Sequence, residues 1–173
     1  TIEIKKVDRE ESTKTLEGAE FTVYEESAYK AALASGQKPV AVDKKETGTD
    51  GIASFYLRYG TYIIKETKAP LYYYIDEETG GNSQYWDASV KGYRVTITED
   101  GEVIPLTVTN PKMFIKVEVT KWGFRELLSD VTFHICKKDG TYVGKLTTDS
   151  TGVGCSDEYT AEELGEGAYI KEV

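Results

Sequence analysis

Three strand-like runs of this chain share one feature: the apolar face of each run ends in a polar or ionisable side chain. The runs are Ile2-Glu3-Ile4-Lys5-Lys6, Tyr62-Ile63-Ile64-Lys65-Glu66 and Leu106-Thr107-Val108-Thr109-Asn110. Because successive side chains of a strand point to opposite faces, Lys6, Glu66 and Asn110 are each predicted on the same face as the apolar residues before them. A buried charge is costly unless it is paired or neutralised, so one shared cluster is the cheapest arrangement.

A lysine, a glutamate and an asparagine in one buried cluster can form a covalent bond. Burial lowers the pKa of the amine and raises the pKa of the carboxyl group, since both charged forms lose hydration. Neutral Lys6 can then attack the carboxamide carbon of Asn110 while protonated Glu66 polarises that carboxamide and transfers protons. Ammonia leaves and an amide joins the two side chains, in a single turnover helped by the high effective concentration within a folded core.

Each of these residues also has an ordinary explanation. A lysine at a strand end usually reaches solvent, a lone glutamate is usually solvated, and an asparagine before a proline is usually a turn residue. The joint placement of all three on apolar faces favours the reactive cluster.

Four segments around these residues resemble the Cna B-type, or SpaA-like, domains of Gram-positive pilins and surface adhesins. The segments are Ile4-Lys5-Lys6-Val7-Asp8, residues 16–24, residues 60–70 and Val108-Thr109-Asn110-Pro111. The resemblance covers residues 1–111 and implies an isopeptide bond between Lys6 and Asn110, with Glu66 as the catalytic residue. One departure is that the glycine of the usual Ala-Pro-x-Gly-Tyr segment is replaced, because Ala69-Pro70 is followed by Leu71-Tyr72-Tyr73.

The pattern restarts after residue 111, which predicts a second domain over residues 112–173. Residues 113–121 repeat residues 1–6, and the counterparts of residues 19–23, 49–52 and 62–66 are residues 131–135, 149–153 and 168–172. Lys121 is therefore the counterpart of Lys6, and Glu172 that of Glu66, although alignment by Tyr169 would instead match Val173 to Glu66. The strand with the second asparagine is absent, so this domain is expected to be truncated, with no bond and an unpaired Lys121.

The fold class is predicted to be all-β. Short alternating runs rich in valine, isoleucine, threonine and tyrosine are separated by Asp-Gly, Gly-Gly and Pro signals, as in β-sandwiches. The resemblance implies tandem prealbumin-like or immunoglobulin-like sandwiches, the second truncated. One exception is residues 25–35, where good helix formers precede Gly36 and predict a short helix.

Residues 72–93 form a long tyrosine-rich excursion with two interpretations. Exposed aromatic side chains are enriched in interfaces, so this loop would suit a ligand surface. The favoured interpretation is a loop that packs its own aromatic rings over the sandwich.

Composition narrows the possible functions. The net charge of −9 argues against nucleic acid or an anionic membrane as partner. One histidine and two separated cysteines give no metal-ligand spacing, and no glycine-rich phosphate loop follows a strand, so neither a metal nor another cofactor is expected. No Ser/His/Asp or Cys/His arrangement suggests a turnover enzyme.

Cys136 and Cys155 leave two alternatives open. An extracellular location would permit a disulfide bond between them, yet many proteins of the resembled family have none. Strand alternation puts Cys136 on the face opposite Phe133 and Ile135, and so outside the deepest core.

The resemblance implies a structural subunit of a Gram-positive pilus or adhesin stalk, located outside the cell on the cell wall or pilus. Its partners would be a sortase and neighbouring pilus or surface subunits. The alternative is an adhesin module that binds a host protein or glycan through residues 72–93. Because the chain has no signal peptide, transmembrane stretch or sorting motif, we expect a piece of a longer secreted precursor that does not itself insert into the membrane.

Overall fold

The computed structural model describes the backbone of residues 1–173 and every side chain except that of residue 82. The chain divides into two compact units, Thr1–Lys112 and Met113–Val173. Strands dominate both units, so the predicted all-β class is confirmed.

The first unit contains eight strands and one helix. They are β1 (Ile2–Asp8), β2 (Glu20–Glu25), α1 (Glu26–Ala34), β3 (Asp43–Glu46), β4 (Ile52–Phe55), β5 (Gly60–Lys68), β6 (Trp86–Asp87), β7 (Gly92–Ile97) and β8 (Ile104–Asn110), with a 3-10 turn at Gly80–Asn82. One sheet has the order β4-β1-β8 and the other β3-β2-β5-β7-β6. Side chains from both sheets form one buried apolar cluster, so the unit is a β-sandwich.

The predicted short helix is present as α1. The Glu25 side chain caps its first turn by accepting hydrogen bonds from the Ser27 and Ala28 N–H groups. Its buried residue, Tyr29, packs with Ile63 of β5, which is why β5 is apolar on both faces rather than strictly alternating.

The second unit contains five strands and a one-turn helix. They are β9 (Phe114–Thr120), β10 (Thr132–Lys137), β11 (Tyr142–Thr147), β12 (Val153–Thr160), α2 (Ala161–Leu164) and β13 (Ala168–Glu172). The sheets have the orders β12-β9 and β11-β10-β13. The core is small, and its buried members are Phe133, Ile135, Leu146 and Leu164.

The two units repeat the same backbone contacts around a lysine. The Lys6 N–H donates to the Gly51 carbonyl oxygen at 2.8 Å, and the Lys121 N–H donates to the Gly152 carbonyl oxygen at 2.8 Å. Both glycines have positive φ, 74° and 70°. A Cβ at Gly51 would lie 2.7 Å from the Lys6 carbonyl oxygen, so the close approach of the two strands requires glycine there.

Cys136 is buried, yet it is not a member of the apolar cluster of the second unit, which fits its predicted place outside the deepest core. The pairing of β10 with β11 shifts register between Ile135 and Cys136, and both side chains are buried. The extra residue lies in β11, between Tyr142 and Gly144, whereas β10 pairs with β13 in unbroken register. Cys136 and the exposed Cys155 are free thiols on strands of different sheets, so the structure does not join them as a disulfide.

Candidate functional site: a buried lysine, glutamate and asparagine

Strands from both sheets bring Lys6, Glu66 and Asn110 together. Parallel pairing of β1 with β8 sets Lys6 opposite Val108 and Asp8 opposite Asn110. Glu66 comes from β5 in the other sheet and faces them across the core. Lys6 and Asn110 are 0% exposed, and the Glu66 side chain is 3% exposed.

Glu66 contacts both of its partners with separate carboxylate oxygens. Lys6 Nζ donates to Glu66 Oε2 at 3.1 Å, and Asn110 Nδ2 donates to Glu66 Oε1 at 2.6 Å. Among the described side chains, Asn110 Oδ1 is the single buried polar atom without a hydrogen-bond partner. An unpaired buried carbonyl costs about 1–3 kcal/mol, so the carboxamide is held in an unfavourable setting.

Burial shifts both titratable groups toward their neutral forms. It lowers the pKa of Lys6 to about 8, against the opposing charge and hydrogen bond of Glu66. Burial also raises the pKa of Glu66, opposed by Lys6 and by the hydrogen bond from Asn110. A neutral amine beside a protonated carboxyl group is therefore accessible at this site.

Two aromatic side chains of the tyrosine-rich segment, Trp86 and Tyr93, line a small cavity beside Glu66. The buried Tyr93 hydroxyl donates to the Gly80 carbonyl oxygen at 3.2 Å, and the Trp86 ring meets the Tyr93 ring edge-on with centroids 5.3 Å apart. Burial and the nearby Glu66 raise the pKa of Tyr93, so it stays protonated. The low exposure of Lys6, Glu66 and Asn110 limits the access of water to the cluster.

Most of residues 72–93 thus pack against the first unit. Tyr73 and Tyr93 are buried and Trp86 is half-buried, whereas Tyr74 and the preceding Leu71 are exposed. Tyr72 has a φ of 70°, a left-handed conformation that costs a residue with a side chain about 1–2 kcal/mol. Tyr72, which stands where the resembled family has glycine, therefore keeps the left-handed backbone conformation that glycine adopts without strain.

Two buried threonines were not found from the sequence. Thr47 Oγ1 accepts from the Ala19 N–H and donates to the Leu16 carbonyl oxygen. Thr148 makes the same two contacts in the second unit, with Val131 and Leu128. These hydrogen bonds fix the segment that follows the lysine-bearing strand in each unit. In the sequence, the two threonines could be found from their matched positions in the repeat.

In the second unit, Lys121 and Glu172 also come together. Lys121 Nζ donates to Glu172 Oε2 at 2.5 Å, with 29% and 50% of the side chains exposed. The expectation that Lys121 is unpaired is therefore wrong.

The strand register chooses between the two alignments left open by the sequence. Glu172 lies opposite Phe133, and Glu66 likewise lies opposite Phe21. Glu172 rather than Val173 is therefore the structural counterpart of Glu66.

The described residues include neither a metal-binding cluster nor a membrane-spanning helix. These contain no group of three or more histidine, cysteine, aspartate or glutamate side chains that could hold a metal ion. Nor does any helix within them have the length and apolar character needed to cross a bilayer.

Comparison with known proteins gives one family match and several structural matches. The family described as "SpaA: Prealbumin-like fold domain" matches residues 1–112. The Bacillus anthracis TIE protein is 30% identical with a TM-score of 0.69, and the alignment covers 99% of this chain and 28% of that chain. This chain therefore spans less than a third of the TIE protein. A search of curated protein sequences found no significant match.

Two pilus proteins are more distant structural matches. The group B streptococcus pilus 2b backbone protein is 26% identical with a TM-score of 0.41, over 64% of this chain and 40% of that chain. The shaft pilin SpaA of Lactobacillus rhamnosus GG is 16% identical with a TM-score of 0.46, over 92% of this chain and 83% of that chain.

Proposed function

This chain belongs to the SpaA family of prealbumin-like domains, and from that membership we propose that it is a structural part of a Gram-positive surface pilus or adhesin stalk. The observation that carries the proposal is the buried contact of Glu66 with both Lys6 and Asn110. We propose that Lys6 and Asn110 become joined by an amide, so that the stalk resists extension.

The proposed reaction follows from the contacts of Glu66. Lys6 transfers a proton to Glu66 Oε2 and becomes a neutral nucleophile. Half-turns of the Asn110 carboxamide and of the protonated Glu66 carboxyl group then let Glu66 donate to Oδ1, which gives this oxygen a hydrogen-bond partner and polarises the carbonyl.

Bond formation then completes the exchange of atoms. Lys6 Nζ attacks Asn110 Cγ, and a proton from Nζ passes through Glu66 to Nδ2. The Cγ–Nδ2 bond breaks, ammonia leaves, and an Nζ–Cγ amide remains. Holding the reactants side by side in the core supplies the effective concentration that a poor electrophile needs.

The position of the two partners in the chain gives the bond a mechanical role. β1 is the first strand of the unit and β8 the last, so the bond closes a loop of about 104 residues, from Lys6 to Asn110. On chain-entropy grounds such a closure stabilises by about 4–5 kcal/mol. A pulling force would pass from β1 to β8 through the amide, so the segment between Lys6 and Asn110 would stay folded.

We propose that the second unit is a second domain of the same kind, with Lys121 and Glu172 in the positions of Lys6 and Glu66. In the described structure β12 is the strand that pairs with β9, whereas β1 pairs with both β4 and β8. A strand from a segment outside residues 1–173, parallel to β9, would complete the sheet. By the register of Asp8 with Asn110, its asparagine or aspartate would lie opposite Gly123.

Two observations bear on an alternative role as an adhesin module. Tyr74 and Leu71 are exposed and could contact a host protein or glycan. The other large aromatic side chains nearby, Tyr73, Trp86 and Tyr93, are engaged within the unit, and this favours the stalk. Sortase and neighbouring surface subunits remain the proposed partners in a longer secreted precursor.

Single-molecule pulling on the full chain tests the mechanical role. The wild type should show no unfolding extension from residues 6–110. Asn110→Ala cannot form the amide and should release that segment, adding roughly 340–370 Å at about 3.3–3.6 Å per residue. The same extension in the wild type would exclude a bond that carries the pulling force.

A further inference from the structure

A second buried carboxylate lies two residues from Lys6, and the proposed reaction does not use it. Asp8 is 0% exposed. Its Oδ1 accepts from the Glu10 and Glu11 N–H groups at 2.8 and 3.0 Å, and its Oδ2 accepts from the Tyr73 hydroxyl at 2.8 Å. Lys112 Nζ lies 3.4 Å from the same Oδ2.

These contacts hold Asp8 in its charged form. Burial alone would raise the pKa of Asp8, but the hydrogen bonds from Tyr73 and from the Glu11 and Glu10 N–H groups lower it to about 2. Asp8 and Glu66 are therefore two buried carboxyl groups of the first unit whose pKa values move in opposite directions. Asp8 is unsuited to proton transfer near neutral pH and suited to a fixed electrostatic contact.

Asp8 and the groups that it contacts border residues 110–112. Asp8 is opposite Asn110 in the β1–β8 pairing, and the Arg9 N–H donates to the Asn110 carbonyl oxygen at 3.0 Å. Tyr73 pairs with Lys112 through the backbone, and the Tyr74 N–H donates to the Pro111 carbonyl oxygen at 3.2 Å. Asp8 thus connects the end of β1 to both chain segments that hold residues 110–112.

We propose that Asp8 is a positioning residue for the Lys6–Asn110 bond: through Tyr73 and Lys112 it fixes the end of β8 so that the Asn110 carboxamide faces the Lys6 amine. Attack on an amide carbon requires the reacting atoms at about 3–3.5 Å, and a misplacement of about 1 Å can reduce the rate about 100-fold. The inference rests on the proposed bond.

The second unit offers an internal comparison. Val7 pairs with Thr15, and Trp122 pairs with Leu127 at the equivalent place, yet the residue after Trp122 is Gly123 rather than an aspartate. The backbone contacts of Lys121 with Gly152 and Leu128 nevertheless match those of Lys6 with Gly51 and Leu16. The local fold around the lysine therefore forms without an aspartate, so the contacts of Asp8 with Tyr73 and Lys112 are not needed for it.

The test measures the rate of bond formation in newly made full-length chain. Protein is synthesised in a short cell-free pulse. Intact-mass measurements at successive times then give the fraction of folded chains that have lost ammonia. Asp8→Asn and Tyr73→Phe should each slow the reaction about tenfold or more. The double variant should react no more slowly than the slower single variant, because both substitutions remove the same hydrogen bond between Asp8 and Tyr73.

A matched control separates positioning from general stability. Glu26→Gln removes another carboxylate whose pKa is lowered to about 2, by Arg94 and Lys30, on α1 and away from the end of β8. It should leave the rate unchanged. The pH dependence of the rate should keep its wild-type shape in Tyr73→Phe, since Glu66 still transfers the protons.

The outcomes distinguish this inference from the proposed function. If the wild type loses no ammonia, both the proposed Lys6–Asn110 bond and the positioning role of Asp8 are excluded. A wild type that forms the bond, with Tyr73→Phe equally fast or Glu26→Gln equally slowed, overturns only the role of Asp8. If Asp8→Asn does not fold, Tyr73→Phe decides alone, because it removes a single hydroxyl and retains the ring.

Discussion

Lys6 Nζ lies 3.1 Å from Glu66 Oε2, with 0% and 3% of the two side chains exposed. An ion pair this deeply buried loses most of its hydration, and its attraction often fails to offset that loss. The neutral pair is therefore accessible, and in the neutral pair Lys6 is a nucleophile. A contact that contributes little to stability by itself becomes useful if it leads to a covalent bond.

The first prediction is that the Lys6–Asn110 bond forms without added factors. The intact mass of the purified chain should be lower than the sequence mass by one ammonia, and peptide mapping should join Lys6 to Asn110. Asn110→Ala should keep its full mass and lose about 4–5 kcal/mol of stability, the closure term for this loop. A well-folded wild type whose intact mass equals the sequence mass, with no ammonia lost, would contradict the bond.

Glu66→Ala should fold but remain uncrosslinked, because Lys6 and Asn110 stay in place without a group to transfer protons. Its thermal and proteolytic resistance should fall toward that of Asn110→Ala. Glu66→Gln is the matched control, since it keeps the size of the side chain and removes the acid. Crosslinking of either variant at the wild-type rate would show that Glu66 has another role.

A third prediction concerns the pH dependence of stability when the bond is blocked. In Asn110→Ala, Lys6 remains a free amine whose pKa is lowered by burial to about 8, from 10.5 for the exposed group. Between these values the unfolded chain binds more protons than the folded chain, so the free energy of unfolding rises with pH. The rise is at most about 1.4 kcal/mol per pH unit, begins near pH 8 and levels off above pH 10.5, so it is lost again as pH falls from 10.5 to 8.

Denaturant unfolding between pH 7 and 11 measures this rise. The double variant Lys6→Met/Asn110→Ala has no amine at this position and gives the baseline for all other titrating groups. The crosslinked wild type should follow that baseline, because an amide nitrogen does not titrate. An identical pH dependence in Asn110→Ala and the double variant would show that Lys6 is not held in a shifted state.

Strand alternation in the sequence was sufficient to predict the inward positions of Lys6 and Asn110, because β1 and β8 are regular where the two residues lie. It did not show that Cys136 would be buried, because alternation gives the face of a side chain and not how well that face is covered. The contacts of Asp8 could not be predicted, because Tyr73 lies 65 residues away in the chain and only the fold brings them together. Local patterns report which face a residue occupies, whereas partners across the core depend on the complete topology.

Two free thiols are predicted, in place of a disulfide. Denatured, unreduced protein should therefore titrate two thiols per chain. In native protein the exposed Cys155 should react quickly and the buried Cys136 slowly, since modification needs access to the sulfur. Cys155→Ser, the control, should remove the fast phase alone. If denatured, unreduced protein contained no reactive thiol, Cys136 and Cys155 would be joined in a disulfide and this prediction would be wrong.

The last prediction is that the second unit is the less stable half of this chain. All five residues of β13 are exposed, and β9 alternates between exposed and half-buried residues. The edge of β9 away from β12 leaves backbone groups without strand partners in the described structure. Lys121 and Glu172 form an ion pair near solvent, and such a pair contributes only about 0–1 kcal/mol.

Limited proteolysis should therefore cut after Lys112 first and leave a resistant fragment of residues 1–111 or 1–112. Peptide mapping should find Lys121 unmodified, because within residues 1–173 no asparagine lies on a strand beside β9. In Asn110→Ala the first unit loses its proposed bond, so the difference in resistance between the two units should narrow. A crosslinked Lys121, or a second unit that outlasts the first, would contradict the proposal that the second unit needs one more strand.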